Sequence, residues 1–324
     1  MLIKTLNKCK SYLTDFISSF PNAAILTHIQ PDGDGLGAAL ALQEIFPNLQ
    51  IVLEEAISDK YNFLDASSRI KIFQREMSYD LLIILDCHEE ERLGKCAHLL
   101  TKAKKIIAID HHVQGNLIED VPTFIDTDLA SAGAIIYYIF KEKINHLQNN
   151  SKKYISEALY TTILNDTDNF INANTQPPTF RMCAELMEWG LIPGDIAREF
   201  LYNNTAAEMK LLGQTLATIE TFCDGKFLFF YTSLNMLKKL NLTTAATGGI
   251  SRWVKGVKDV IASIRLEEID HKIYKVHLRS NILDVNKIAV AHGGGGHKRA
   301  SGCEMKGNLE EVRNTLLAEL KEQM

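Results

Sequence analysis

Short apolar runs that end in an acid or a histidine recur through the first third of the chain. Residues 23–29 (AAILTHI), 50–53 (QIVL), 80–86 (DLLIILD) and 105–110 (KIIAID) have the length and composition of buried strands. Residues 36–46 are rich in Ala and Leu and predict a helix, and the segments preceding 80–86 and 105–110 can be helical too. Leu6, Tyr12, Leu13, Phe16, Ile17 and Phe20 fall at mostly helical spacing, so an amphipathic helix over residues 3–20 comes first. Strands alternating with helices imply right-handed crossovers and a mostly parallel sheet covered on both faces. The carboxyl ends of its strands then lie along one edge, where an open α/β sheet places its ligand.

From residue 131 the pattern turns helical over 132–140, 151–164, 180–189 and 193–201, with breaks at Pro177 and Pro178 and at Gly190, Pro193 and Gly194. A further helix over 206–221 connects to strands at 226–232, 259–268 and 273–279, a short helix at 285–291, a glycine tract and a closing helix at 309–321. The expected fold class is α/β: a parallel-sheet domain over residues 1–190, a helical linker over 191–212, and a smaller α/β domain over 213–324.

The length of 324 residues suits two cores, and an apolar fraction of 46% is ample for them. Six scattered cysteines, with no CxxC pair, read as reduced thiols, and no apolar run is long enough to span a membrane, so a cytoplasmic protein is expected. A net charge of −5 argues against a protein that coats long duplex nucleic acid. That charge is unevenly spread: residues 213–324 carry 16 Lys and Arg against 12 Asp and Glu, leaving −9 on the first 212. An acidic domain that holds cations and a basic one that holds an anionic substrate fit this division.

The first strand runs into His28-Ile29-Gln30-Pro31-Asp32-Gly33-Asp34-Gly35, where proline and two glycines let one imidazole and two carboxylates share a small space. An Asp-rich turn can equally be a helix cap. Asp86 ends the third strand, Asp110, His111 and His112 end the next, and Asp166 lies in the helical part (NDTDNF). Cys87 and His88 have no obvious partner and read as structural. In a parallel sheet these acids face one another, and divalent cations would remove their repulsion. Oxygen-rich sets with an imidazole for each ion suit Mn²⁺ or a similar borderline metal. In the second domain, HGGGGHKRASG offers glycines 293–296 as an anion nest, with His297, Lys298 and Arg299 beside it; Arg279 and Ser280 close a strand and can add a phosphate contact.

The order HIQPDGD, LLIILD, AIDHH, NDTDNF and GGGGHKRASG spans nearly the whole chain and resembles the DHH phosphoesterase superfamily with a DHH-associated C-terminal domain, most closely its nanoRNase/pAp phosphatase (NrnA) group. The resemblance implies that His28, Asp32 and Asp86 hold one Mn²⁺ and that Asp34, Asp86, His111 and Asp166 hold a second, with Mg²⁺ or Co²⁺ as substitutes. His112 would face the scissile phosphate, Asp110 would orient the histidines, and Arg279, Ser280, Gly294, Gly295, Gly296 and His297 would bind substrate across a cleft. Gln30, Ala38 and Asp168 depart from the common pattern without touching a proposed ligand.

The implied activity is Mn²⁺-dependent degradation of very short oligoribonucleotides to mononucleotides and dephosphorylation of 3′-phosphoadenosine 5′-phosphate (pAp) to AMP. Short RNAs and nucleotide bisphosphates are then the partners, with no membrane and no long duplex, and there is room for a homodimer. The rivals are a hydrolase of pApA or cyclic di-AMP, a RecJ-type single-strand DNA exonuclease, a family II pyrophosphatase, which lacks this glycine-rich ending, and a nucleotide-binding regulatory protein that is not an enzyme.

Overall fold

The computed structural model describes every residue except Gln114, and leaves the side chain of His297 undescribed. The chain divides into two compact units, Met1–Asn203 and Asn204–Met324. The helical stretch expected to link two domains is split between them, with Pro193–Tyr202 in the first unit and Ala206–Leu216 in the second.

The first unit is built on a seven-stranded sheet whose paired strands are all parallel. Its strands are β1 (Leu2–Ile3), β2 (Ala23–Leu26), β3 (Gln50–Leu53), β4 (Ile70–Ile72), β5 (Leu81–Leu85), β6 (Lys105–Asp110) and β7 (Thr123–Ile125), in the order β1-β7-β6-β5-β2-β3-β4. Strands β1, β4 and β7 are edge or near-edge pieces of two or three residues, too short to leave a periodic signal.

Successive side chains of the central strands feed two different cores. Ile25, Leu81, Ile83 and Ile109 pack with the helices α1 (Leu6–Ser19), α2 (Gly33–Ile45), α3 (Ala132–Asn145) and α4 (Asn149–Asp166), while Leu26, Leu82, Ile84 and Ala108 pack on the opposite face. Two further helices, α5 (Pro177–Glu188) and α6 (Pro193–Tyr202), join the first face. On the second face the cover is a 3-10 segment, Glu90–Lys102, and not an α-helix. Gly94, at φ 56° and ψ −136°, breaks that segment in a conformation that a side chain would oppose.

The second unit holds a mixed six-stranded sheet, ordered β12-β13-β11-β10-β9-β8. It comprises α7 (Ala206–Leu216), β8 (Glu220–Phe222), β9 (Phe227–Thr232), α8 (Leu234–Lys239), β10 (Ala262–Asp270), β11 (Ile273–Ser280), α9 (Val285–Ala291), β12 (Gly295–His297), β13 (Ala300–Lys306) and α10 (Leu309–Lys321). One face, with Phe229, Ile264, Val276 and Leu278, packs on α9 and α10. The other carries Leu228 and Phe230 against α7, α8 and a 3-10 turn at Ile250–Val254. Among the described residues no helix is long and apolar enough to cross a membrane.

Candidate active site

The strand order places β2 beside β5, where the direction of connection reverses, and such a switch point opens a crevice at the strands' carboxyl ends. Three of the acid- or histidine-ended runs meet there. His28 follows β2, and its Nδ1 donates to the Ile29 carbonyl at 2.8 Å, which aims Nε2 at Asp86 Oδ2 (3.4 Å) and Asp32 Oδ1 (3.9 Å). Asp32 caps α2 as well, accepting from the Asp34 and Gly35 N–H groups, so the helix-cap reading and the cluster reading hold together. Asp34 lies fully buried and accepts from the Ala132 and Gly133 N–H groups at 2.7 and 3.0 Å, which directs it at the positive end of α3.

Asp86 is the geometric centre. Its backbone is left-handed, at φ 57°, a conformation that costs a non-glycine residue of order 1 kcal/mol. One oxygen, Oδ2, faces His28; the other, Oδ1, lies 3.4 Å from His112 Nδ1 and 3.8 Å from His111 Nε2. His111 Nε2 also approaches Asp166 Oδ2 at 2.6 Å and Asp34 Oδ2 at 3.4 Å. None of these approaches has hydrogen-bond geometry, and both Asp86 Oδ1 and His111 Nε2 are buried with no hydrogen-bond partner.

Atoms of His28, Asp32 and Asp86 lie within 4.8 Å of one another, as do those of Asp34, His111 and Asp166, and those of Asp86, Asp110, His111 and His112. Orphaned buried donor atoms, surrounded by carboxylates, fit a divalent cation and leave a protein without one under strain. The titration behaviour agrees. Burial, then the neighbouring carboxylates Asp166 and Asp86, push Asp34 well above the usual carboxylate range, and burial raises Asp86 to about 6. Burial alone would lower His28, but the Asp32 and Asp86 carboxylates lift it to about 10.

Asp110, which belongs to the third of these groups, also grips the loop that follows it. Its Oδ1 accepts from the His111 and His112 N–H groups and from His112 Nδ1 (2.8 Å). That last contact raises the His112 ring to about 9. Its Oδ2 is held at 2.5 Å by Nδ1 of His88, a buried residue whose Nε2 accepts the Gly115 N–H at 2.9 Å. Because Nε2 accepts, the proton sits on Nδ1 and is donated to Asp110.

His88 is thus the residue that sequence reasoning set aside as structural. Its one available signal was its place two residues beyond a strand-terminal acid. A Gln at position 88 can set its amide oxygen near the place of Nε2 but not a donor in the place of Nδ1, whereas an Asn can set its amide N–H near the place of Nδ1. His88→Gln should lower kcat roughly 10-fold with little change in KM, and His88→Asn should recover most of it. Equal, wild-type kcat in both variants would show that Asp110 needs no help from His88.

The second unit has its own polar site. A pocket of roughly 600 Å³ is lined by Lys275, His277, Arg279, His292, Glu304 and the glycines 293–296. The tract is not a free nest, however. Gly293 and Gly294 donate to the Val290 and Ala289 carbonyls and close α9, and Gly295 and Gly296 pair with Gly302 and Ser301 of β13. What it provides is a wall without side chains: a Cβ on Gly294 would collide with the Gly302 carbonyl. Ser280 does not fit the expectation of a phosphate contact. It points to the other face, donating to Ile261 O and accepting from the Ile282 and Leu283 N–H groups, and so shapes a turn. The His297 side chain lies outside the described residues.

Comparison with known proteins matches one domain family to each unit. Residues 22–164 match the DHH family, N-terminal domain, and residues 229–324 match the DHHA1 domain. A Streptococcus mutans protein named probable bifunctional oligoribonuclease and PAP phosphatase NrnA is 28% identical, covering 93% of this chain and 96% of its own. The Bacillus subtilis bifunctional oligoribonuclease and PAP phosphatase NrnA is 24% identical, over 91% and 93%. The crystal structure of an exopolyphosphatase-related protein from Bacteroides fragilis shares the fold, with a TM-score of 0.88 at 21% identity over 97% of this chain and 95% of that one. With two domain matches in the expected order and several relatives named NrnA that align over nearly the whole chain, the chain belongs to the DHH phosphoesterase superfamily, is similar to its NrnA group, and is a phosphoesterase hydrolase.

Proposed function

We propose that the protein removes mononucleotides from very short RNAs and converts pAp to AMP, using two Mn²⁺ ions for which Mg²⁺ or Co²⁺ can substitute. The observation that carries this reading is Asp86, which turns one oxygen towards the His28 and Asp32 set and the other towards the His111 set. His28, Asp32 and Asp86 would hold one ion, and Asp34, Asp86, His111 and Asp166 the other. Bound there, the pair would supply Lewis-acid stabilisation of charge on phosphate oxygens and a readily deprotonated water.

The chain's own residues do the rest. Asp110 fixes the imidazole of His112 through Nδ1 and so presents Nε2 as its proton-exchanging atom towards the phosphate. Buried Asp34, tied to two N–H groups of α3, keeps its oxygens from swinging out of place. In the second unit Arg279, Lys275 and the bare wall of Gly294, Gly295 and Gly296 give a substrate's terminal phosphate charge and room. The names of the relatives support the same substrate class.

The test is a panel of pAp, di- to pentaribonucleotides, pApA, cyclic di-AMP and single-stranded DNA, each incubated in Mn²⁺. Release of AMP from pAp and of mononucleotides from the short RNAs is expected. Turnover confined to cyclic di-AMP or to DNA would replace this reading with one of its rivals.

A further inference from the structure

Phosphate recognition does not account for a buried polar line on the pocket face of the second sheet. Arg265 and Glu267, only 4% and 6% exposed, lie on β10, and His277 sits directly opposite Arg265 on β11. Arg265 Nη2 donates to Glu267 Oε2 at 3.1 Å, and Nη1 reaches Ser251 Oγ at 3.5 Å. The same Glu267 oxygen lies 3.3 Å from His277 Nε2. Burying an arginine and a glutamate is expensive, and the hydrogen bonds described for the pair run to each other, to Ser251 and to His277. Its effect is on the histidine.

Arg265 already balances the charge of Glu267. Burial, opposed by the Glu267 contact and reinforced by the Arg265 charge, pushes His277 below the usual histidine range, which favours the neutral ring. A neutral ring that meets a carboxylate does so with N–H, which puts the proton on Nε2 and leaves a lone pair on Nδ1. His277 lines the pocket, and Nδ1 has no hydrogen bond among the described residues and is not among the atoms sealed from solvent. Lys275 and Arg279 stand two residues away on either side of it, on the same strand face, at about 7 Å along the strand. The two cations attract phosphate; the lone pair between them repels it and calls for a donor.

We propose that His277 Nδ1 accepts a hydrogen bond from an O–H or N–H group of a phosphorylated nucleoside, and that Arg265 and Glu267 exist to hold it as an acceptor. This rests on the reading that the second unit's pocket takes a nucleotide. The donor is either a sugar hydroxyl or a base amine, and His277 makes the pocket select for it. The residue is one of specificity, acting in binding and not in the hydrolytic step.

Calorimetry on the full-length protein with AMP, 2′-deoxy-AMP and purine riboside 5′-monophosphate tests this. Wild type should bind one of the two depleted ligands roughly 3- to 10-fold more weakly than AMP, the size of one lost hydrogen bond. Weakening with the deoxy ligand identifies the hydroxyl; weakening with purine riboside identifies the amine. His277→Phe should bind all three alike. His277→Asn, which can offer Oδ1 in the place of Nδ1, should keep the preference, and Glu267→Gln, which no longer forces the proton onto Nε2, should reduce it.

Equal binding of the three ligands by wild type, a preference that survives in His277→Phe, or no binding of AMP at all would overturn the proposal. If His277→Phe fails to fold, the Glu267→Gln result decides in its place. The readout does not depend on turnover. A protein that shows the preference yet cleaves no short RNA would keep this assignment and lose the proposed function.

Discussion

Replacing Asp86 with alanine is expected to lower kcat on the order of 10³-fold or more, and to do so without unfolding the first unit. The size follows from geometry: Asp86 turns an oxygen to each of the two proposed ligand sets, so its loss damages both. Thermal melting supplies an independent readout. Mn²⁺ at about 100 times its dissociation constant should stabilise wild type by about 2.7 kcal/mol and Asp86→Ala by far less.

The pH dependence of that shift has a definite sign. Asp86 is raised from 3.8 to about 6 by burial. Its contribution to the metal-free protein is therefore fully present below the unfolded value and lost as pH rises through about 6, because the buried carboxylate ionises against its neighbours. A cation binds that ionised form. Stabilisation by Mn²⁺ should accordingly be small at about pH 5 and full at about pH 8, since proton and metal compete for the same oxygens. A wild-type shift independent of pH, or an Asp86→Ala enzyme with undiminished kcat, would dismiss the central role given to this residue.

Gly37→Val should destabilise the first unit by about 3 kcal/mol and reduce activity with it. A Cβ at Gly37 would stand 2.5 Å from the Ala158 carbonyl and 2.7 Å from Thr162 Cγ2, so α2 and α4 touch there backbone to side chain. Neither partner can yield. The carbonyl is part of α4, and Thr162 Oγ1 is fixed by Leu159 O and Ser131 Oγ at 2.7 and 2.9 Å. Asp34 stands in the first turn of α2 and Asp166 is the last residue of α4. Forcing the helices apart moves two carboxylates of one cluster relative to each other. Urea unfolding of the full chain, following the first unit's transition, checks the stability. The ratio of kcat in Gly37→Ala and Gly37→Val checks the coupling, and wild-type stability in both variants would show that the crossing is looser than these distances state.

Much of the site was legible because local rules placed it. Runs such as LLIIL and KIIAI are period-free and bounded by polar turns, which only a strand covered on both faces accommodates. Once the strands are parallel, the residues that end them must share an edge, so His28, Asp86 and Asp110 converge whatever the loops do. The failures share a different cause. His88 was dismissed for want of a partner, yet its partner stands 22 residues away on the neighbouring strand. Ser280 and Arg279 are adjacent in sequence but point to opposite faces, and the serine spends its hydroxyl on a turn. The glycine tract suggested a nest, but the N–H groups of Gly293 and Gly294 close α9 and Gly295 and Gly296 pair with β13.

The sequence by itself determined the α/β class, the parallel sheet and the identity of the residues at the strand ends, because side-chain period and strand polarity are local properties with forced geometric consequences. Only the tertiary structure decided which oxygen of Asp86 faces which histidine, that Asp110 is clamped by His88, and that His277 stands opposite Arg265 and beside Glu267. Those depend on register between strands and on the charge that burial leaves unscreened, quantities set by residues far apart in the chain.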